Sequence, residues 1–121
     1  MSWNIDNFRV KKIENLKIPV ASLYKHGQED LYPEIANNND GTATVSIFDN
    51  RMYGTIDNGI FTCTNIECYG EGSGTVMGDV LEPALKDSTG EFIASCVWER
   101  GEEINRLIVK DGDISWEDIE I

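Results

Sequence analysis

The amino-acid sequence predicts a mainly β fold, an antiparallel meander that closes as a sandwich or small barrel with at most one or two short helices. Ala43, Val45 and Ile47 occupy every second position of one segment, as in a strand with one buried face. Two dipeptides typical of tight hairpin turns, Asn58-Gly59 and Asp111-Gly112, each lie between β-like segments. Roughly seven to nine strands are expected over the chain.

The first forty residues allow more than one interpretation. Residues 3–13 form one strand or two, and Glu14-Asn15 is predicted to be a turn before Leu16. Pro19 is predicted either to begin a short helix or to lie in an edge strand. Residues 37–41 read Asn-Asn-Asn-Asp-Gly, which is the composition of a polar loop.

The central part of the chain is predicted to continue the meander. Strands are expected at residues 51–56 and 60–69, on either side of the first hairpin turn. The glycine-rich segment at residues 70–74 is predicted to be a flexible connection. Residues 82–90 are predicted to be a loop that contains one helical turn beginning near Pro83.

Three further strands complete the predicted fold. They are expected at residues 91–100, 104–110 and 114–121, and the second hairpin turn joins the last two. The apolar residues of the last segment change face midway, which predicts a bulge or an early end to that strand. At this length, residues 1–121 are expected to form a single domain.

Charge is the unusual property of this sequence. Asp and Glu number 22 and Lys and Arg number 10, which gives a formal net charge of −12. Residues 1–60 carry −2 of this charge and residues 61–121 carry −10. Nucleic-acid affinity depends on Lys and Arg that neutralise phosphates, so we expect no binding to DNA, RNA or anionic membrane. The expected partner is a basic protein, and the alternative is that the charge serves solubility alone.

The lack of a secretory signal and the expected reduced state of the cysteines both indicate a cytoplasmic protein. Residues 1–6 lack the basic region and apolar run of a secretory signal. No stretch approaches the roughly 18 apolar residues that span a bilayer. Three cysteines, Cys63, Cys68 and Cys96, cannot all pair in disulfides, and they lie in apolar or β-like segments. We expect these cysteines to be reduced and buried.

Little in the sequence indicates catalysis. The one histidine, His26, lies in a predicted loop with no neighbour that would orient it as a general base. The cysteines have no adjacent cation or helix N-terminus that would activate a thiol. A pair of catalytic carboxylates cannot be assigned by spacing among 22 acidic residues. We therefore predict that the protein is not an enzyme.

Three metal- or phosphate-binding patterns are incomplete. Cys63 and Cys68 lie five residues apart, on opposite faces of a regular strand, and so cannot chelate zinc as a pair. The glycine-rich segment lacks the following Lys and helix of a phosphate-binding loop. Asp111, Asp113 and Ser115 match the first spacings of a calcium loop, but its glycine and its final Glu are missing. No metal and no cofactor are predicted.

The acidic C-terminal third is the candidate functional surface. Like charges on neighbouring strands come within about 5 Å, so this array suggests either tolerated repulsion or a basic partner that relieves it. Trp98 and Trp116 are either interface anchors inside a charged rim or core residues, and taken singly each favours the core. The residues predicted to bind the partner are Glu99, Glu102, Glu103, Asp111, Asp113, Trp116, Glu117 and Asp118.

The size and charge of the chain resemble those of bacterial immunity proteins from contact-dependent growth inhibition and other toxin–immunity systems. No sequence motif carries this resemblance. It implies an inhibitor that covers the basic active site of a toxin, often a nuclease. A viral anti-defence protein or nucleic-acid mimic would use the same charge, and neighbouring genes would separate the two. A small-molecule-binding β-barrel module or an enzyme subunit would need polar residues on inward strand faces, and few are present. Partner identity and oligomeric state are not predicted.

Overall fold

The computed structural model describes residues 7–25, 32–47, 50–67, 81–97 and 102–119, and these contain eight β-strands and two short helices. The strands are β1 (Asn7–Pro19), β2 (Glu34–Asn37), β3 (Ala43–Ile47), β4 (Asn50–Asp57), β5 (Ile60–Glu67), β6 (Thr89–Val97), β7 (Glu103–Lys110) and β8 (Asp113–Asp118). The helices are α1 (Val20–Lys25) and α2 (Glu82–Leu85). The predicted mainly β fold with at most two short helices is confirmed.

All eight strands belong to one antiparallel sheet, in the order β2-β3-β4-β5-β1-β6-β7-β8. Strands β2 to β5 and strands β6 to β8 each follow one another along the sheet, and β1 lies between these two groups. The first part of β1, Asn7 to Lys17, pairs with β6, and its last part, Leu16 to Pro19, pairs with β5. This division of β1 is consistent with a β-sandwich or an open barrel.

The turn predicted at Glu14-Asn15 is wrong, because β1 continues through these residues as one strand. The register between β1 and β6 shifts between Val10 and Lys12 and again between Glu14 and Lys17. Asn15 has a φ of 51°, and an extra residue in this conformation is typical of a β-bulge. Asn adopts positive φ more readily than most residues. The same preference of Asn for positive φ therefore gives a bulge at Asn15 and a hairpin turn at Asn58.

Both predicted hairpin turns are confirmed. The φ angles are 51° at Asn58 and 75° at Gly59 in the β4–β5 turn, and 47° at Asp111 and 84° at Gly112 in the β7–β8 turn. Two successive positive φ angles define the type I′ turn, whose twist matches that of the flanking strands. The turns therefore fix the register of both hairpins.

The predicted strands after residue 50 correspond to the observed ones. Those predicted at residues 51–56, 60–69, 91–100 and 104–110 match β4, β5, β6 and β7, although residues 68–69 and 98–100 lie outside the described residues. The last strand, β8, ends at Asp118, in agreement with the early end that its change of apolar face predicted. In β3, every second residue is buried, as predicted.

The helical turn predicted near Pro83 forms, and of the two alternatives for Pro19 the short helix is the one observed. Pro19 is the last residue of β1, and α1 begins directly after it at Val20, whose backbone N–H donates to the carbonyl of Gly59 at 2.9 Å. Helix α2 contains Pro83 in its first turn, where a missing N–H costs little. Ser22 of α1 donates through Oγ to Asp87 Oδ2 at 2.8 Å, which links α1 to the turn that follows α2.

The buried residues of the strands and helices form one hydrophobic cluster. Both parts of the sheet contribute to it, as do Leu23 of α1 and Leu85 of α2. The predicted burial is confirmed for Cys63 and Cys96, whereas Cys68 lies outside the described residues. Over the described ranges, no helix is long and apolar enough to cross a membrane. Strand members of the cluster include Leu16, Ile18, Val45, Met52, Phe61, Phe92, Leu107 and Val109.

Candidate interaction surface

The acidic hairpin comprises residues 102–119, which include β7, the type I′ turn, β8 and one flanking residue at each end. Strand β8 is the last strand of the sheet, and β7 is its only neighbour among the described residues. Every residue of β8 is exposed except Ile114, which is half-buried and packs against the core. The hairpin therefore presents one full strand to solvent at an edge of the sheet.

The predicted partner-binding residues separate into two groups within this hairpin. Asp111 and Asp113 lie at the turn end, and Trp116 lies near the middle of β8. Strand β7 is eight residues long, which separates the two ends of the hairpin by about 23 Å. Glu99 lies outside the described residues. The predicted residues at the far end, away from the turn, are Glu102, Glu103, Glu117 and Asp118.

The acids of β8 lie opposite cationic or neutral residues of β7. Asp113 is directly opposite Lys110, and Glu117 is directly opposite Arg106, with 4.0 Å between Arg106 Nη1 and Glu117 Oε1. Asp118 is opposite the neutral side chain of Asn105. Cross-strand pairs of opposite charge are mildly stabilising. The register of the hairpin therefore relieves part of the repulsion that the composition implies.

Glu103 has the most internal partners of the predicted residues that the structure describes. Its carboxylate forms an ion pair with Lys11 and accepts a hydrogen bond from Arg106 Nη2 at 2.8 Å. Lys11 belongs to β1, so this contact reaches across the intervening strand β6. The hydrogen bonds from Lys11 and then from Arg106 lower the pKa of Glu103 to about 2. Glu103 therefore links β7 to β1 across β6 and is less available to a partner.

Trp116 is exposed, so its interpretation as a core residue is wrong. The side chain is 43% exposed, and its indole Nε1 donates to Glu82 Oε1 of α2 at 3.2 Å. Its cross-strand neighbour Leu107 is fully buried, which shows that Trp116 lies on the core side of the sheet but at its edge. Trp98 lies outside the described residues.

Sequence reasoning missed Glu82 as a member of this surface. Glu82 and Trp116 are 34 residues apart, and no periodicity or spacing connects them. Only the packing of α2 near the edge of the sheet brings the carboxylate to the indole. The interaction fixes the orientation of the exposed ring and places one more negative charge beside it.

Four of the predicted acids, Asp111 and three others, have no ion-pair partner among the described residues. Glu102, Asp113 and Asp118 are all exposed and make no salt bridge within these ranges. Asp111 differs from them, because its Oδ1 accepts the backbone N–H of Gly90 at 2.9 Å and so supports the turn. The carboxylates available to a partner therefore lie at both ends of the hairpin, with Trp116 between them.

A shallow cleft of about 270 Å³ lies at the turn end of the acidic hairpin. Two of its carboxylates are already paired, since Lys12 Nζ lies 2.9 Å from Glu91 and 3.3 Å from Glu14. The described residues contain no group of three His, Cys, Asp or Glu side chains that could hold a metal ion. The lining residues are Glu14, Asn15, Gly90, Glu91, Lys110 and Asp111.

The two described cysteines are buried in the core and are not part of this surface. Burial raises the pKa of the Cys96 thiol to about 12, so this thiol is protonated at neutral pH. The Cys63 Sγ donates to the carbonyl of Asn65 at 3.5 Å. His26 and the glycine-rich segment at residues 70–74 lie outside the described residues.

The acidic hairpin combines an oriented, exposed tryptophan with exposed carboxylates and an open strand edge. Aromatic anchors surrounded by a polar rim are typical of protein–protein interfaces. In its chemistry, the arrangement is complementary to a protein surface that offers cationic side chains. Comparison of the chain with family models, with curated proteins and with solved structures finds no match.

Proposed function

We propose that the protein is an immunity-type inhibitor that neutralises a basic toxin, a nuclease effector, by binding it directly. One observation carries the proposal: a net charge of −12 accompanies an exposed Trp116 with carboxylates on both sides of it along the hairpin. The proposal includes a bacterial, cytoplasmic protein that is not itself an enzyme and that binds neither nucleic acid nor membrane.

Two physical effects support a basic partner. The net charge attracts a cationic protein over a distance of about 10 Å at 0.1 M ionic strength, and this attraction raises the association rate. At short range, the exposed indole offers a large, rigid contact area of the kind that dominates interface energetics. Exposed acids without internal partners, such as Asp113 and Asp118, can then pair with Lys or Arg of the partner.

The test begins with isolation of the partner. The tagged protein is co-expressed with the product of each neighbouring gene and purified at about 0.1 M and then 1 M salt. We expect one basic protein at 1:1 stoichiometry, and its nuclease or other toxic activity should disappear when one equivalent of this chain is added. The association rate should fall about tenfold or more between the two salt concentrations, because screening removes the attraction.

An unrelated basic protein of similar net charge is the control for non-specific attraction. It should bind weakly at 0.1 M salt and should keep its own activity in the presence of this chain. The proposal fails if no protein partner is found at either salt concentration. It also fails if a basic partner binds but remains fully active at saturation.

A further inference from the structure

We propose that the open edge of β8 is the place where the partner binds, and that it accepts a positively charged, extended segment of that partner as an additional strand. This inference rests on the proposed function, and it specifies the binding mode and the chemistry of the segment. It is carried by the hydrogen-bonding pattern of β8, by its position in the sheet and by the charges along it.

The backbone pattern follows from the hairpin turn. In a two-residue hairpin, the residues that flank the turn, Lys110 and Asp113, form a hydrogen-bonded pair, and such pairs then recur at every second residue. The N–H of Ile119, an even number of residues from Asp113, donates to the carbonyl of Ile104 at 3.0 Å, which fits this pattern. The backbone groups of the intervening residues Ile114, Trp116 and Asp118 therefore point away from β7.

These outward groups have no backbone partner among the described residues. Unpaired N–H and C=O groups along a strand edge are a template for a further strand. The opposite edge of the sheet is a poorer template, because β2 has only four residues, whereas β8 has six residues and no proline. Strand β8 is therefore the edge better suited to strand addition.

The charges along β8 select the occupant. Asp113 and Glu117 lie on one side of the strand, and Asp118 and Trp116 lie on the other side, with Glu82 hydrogen-bonded to the indole. A second copy of β8 would place acids opposite acids, and this like-charge repulsion disfavours self-pairing. A segment rich in Lys or Arg would instead meet opposite charges, and a guanidinium could stack on the exposed ring of Trp116.

The test measures backbone hydrogen exchange by NMR with a synthetic peptide as probe. The peptide has eight residues that alternate between Arg or Lys and Val or Thr. At about 1 mM peptide we expect the amide exchange of Ile114, Trp116 and Asp118 to slow by about tenfold. The amides of Ser115 and Glu117, which already bond to β7, should change little. A peptide of equal charge that is N-methylated along its pairing edge should give no such protection.

A matched pair of variants tests the same edge by substitutions in the protein, whereas the N-methylated probe changes the peptide. Trp116→Ala and Trp116→Pro both remove the indole, but only proline removes the outward N–H, and it breaks no bond to β7. Both variants should keep similar melting temperatures. Peptide protection of Ile114 and Asp118 should persist in Trp116→Ala and disappear in Trp116→Pro. If the proline variant does not fold, the N-methylated peptide still tests whether protection depends on backbone hydrogen bonds at this edge.

The outcomes separate this inference from the proposed function. If this chain inhibits a toxin but the bound toxin protects amides elsewhere, the edge proposal fails and the proposed function stands. If the basic peptide protects Ile114, Trp116 and Asp118 but no toxin is neutralised, the proposed function fails and the edge is a strand-binding site. If these amides are already protected in the free protein as its concentration rises, a second copy occupies the edge and the proposal is overturned.

Discussion

The carboxylates of this chain divide into two groups with different roles, and only their neighbours in space distinguish them. Glu103 is 20% exposed and bound by Lys11 of β1 and Arg106 of β7. Glu102, the preceding residue, is exposed and makes no ion pair with any described residue. The same chemical group therefore contributes to the fold at one position and to surface charge at the next.

The lowered pKa of Glu103 makes its contribution to stability dependent on pH. Folding lowers this pKa from its ordinary value of 4.5 to about 2, so the folded state favours the ionised form. The stabilisation is complete above about pH 5 and is lost progressively as the pH falls through 4.5 towards 2. The difference in urea midpoint between wild type and Glu103→Gln should therefore be largest near pH 7 and should shrink between pH 5 and pH 3.

The adjacent substitution Glu102→Gln is the control, because it removes one charge at a position without an ion-pair partner in the described structure. Its urea midpoint should stay close to that of the wild type at each pH. A difference in urea midpoint between wild type and Glu103→Gln that stayed constant from pH 7 to pH 3 would contradict this prediction. It would show that Lys11 and Arg106 do not hold the carboxylate as the geometry indicates.

At the scale of elements, β1 determines how the two groups of strands meet. Its bulge at Asn15 lies against Gly90 near the start of β6, and a Cβ on Gly90 would be 2.1 Å from the carbonyl oxygen of Asn15. Gly90 also has a φ of 89° and donates its N–H to Asp111 of the β7–β8 turn. One glycine therefore allows β1, β6 and the acidic hairpin to approach one another.

The substitution Gly90→Ala should destabilise the fold strongly for two reasons. The positive φ costs a non-glycine residue about 1–2 kcal/mol, and the clash with backbone adds about 1–3 kcal/mol. Gly41→Ala is the matched control, because Gly41 has a φ of 86° and no atom within 4 Å of its Cβ position. Urea unfolding should give a loss of about 3 kcal/mol for Gly90→Ala and about 1 kcal/mol for Gly41→Ala. Equal losses would show that the bulge does not approach Gly90 this closely.

The elements that depend on local sequence were predictable, and those that depend on distant contacts were not. The turns at Asn58-Gly59 and Asp111-Gly112 follow from the conformational preferences of two residues each. The bulge at Asn15 uses the same preference, but only the pairing of β1 with β6 makes it a bulge in place of a turn. The strand order, with β1 in the centre, is likewise set by packing between segments far apart in the sequence.

The candidate surface was predictable in composition but not in geometry. Counting charges identified the acidic C-terminal third, and Trp116 within it. The cations that neutralise part of it could not be assigned, because Lys11 comes from β1 and reaches Glu103 across a strand. Glu82 was missed for the same reason. Register also mattered, since it places Lys110 and Arg106 opposite acids of β8.

At the scale of the whole molecule, unbalanced charge and internal ion pairs act in opposite directions on stability. The net charge of −12 repels itself and disfavours the compact state. The ion pairs made by Lys11, Lys12 and Arg106 favour it. Salt screens both effects, so the sign of the salt dependence shows which of them is larger. Exposed ion pairs are each worth little, at most about 1 kcal/mol, so we expect the repulsion to be larger.

The urea midpoint at pH 7 should therefore rise as NaCl is increased from about 10 mM to 0.3 M, since the Debye length falls from about 30 Å to less than 10 Å over this range. Most of the rise should be complete by 0.3 M, because charge screening saturates, whereas general salting-out would continue to increase with concentration. A variant with Glu34→Lys and Asp57→Lys, two exposed acids far from the acidic hairpin in the sheet order, should show a smaller rise because its net charge is less negative. A midpoint that fell with salt would mean that the internal ion pairs outweigh the repulsion. In that case the net negative charge would not destabilise the free protein, and a basic partner would not relieve any repulsion when it binds.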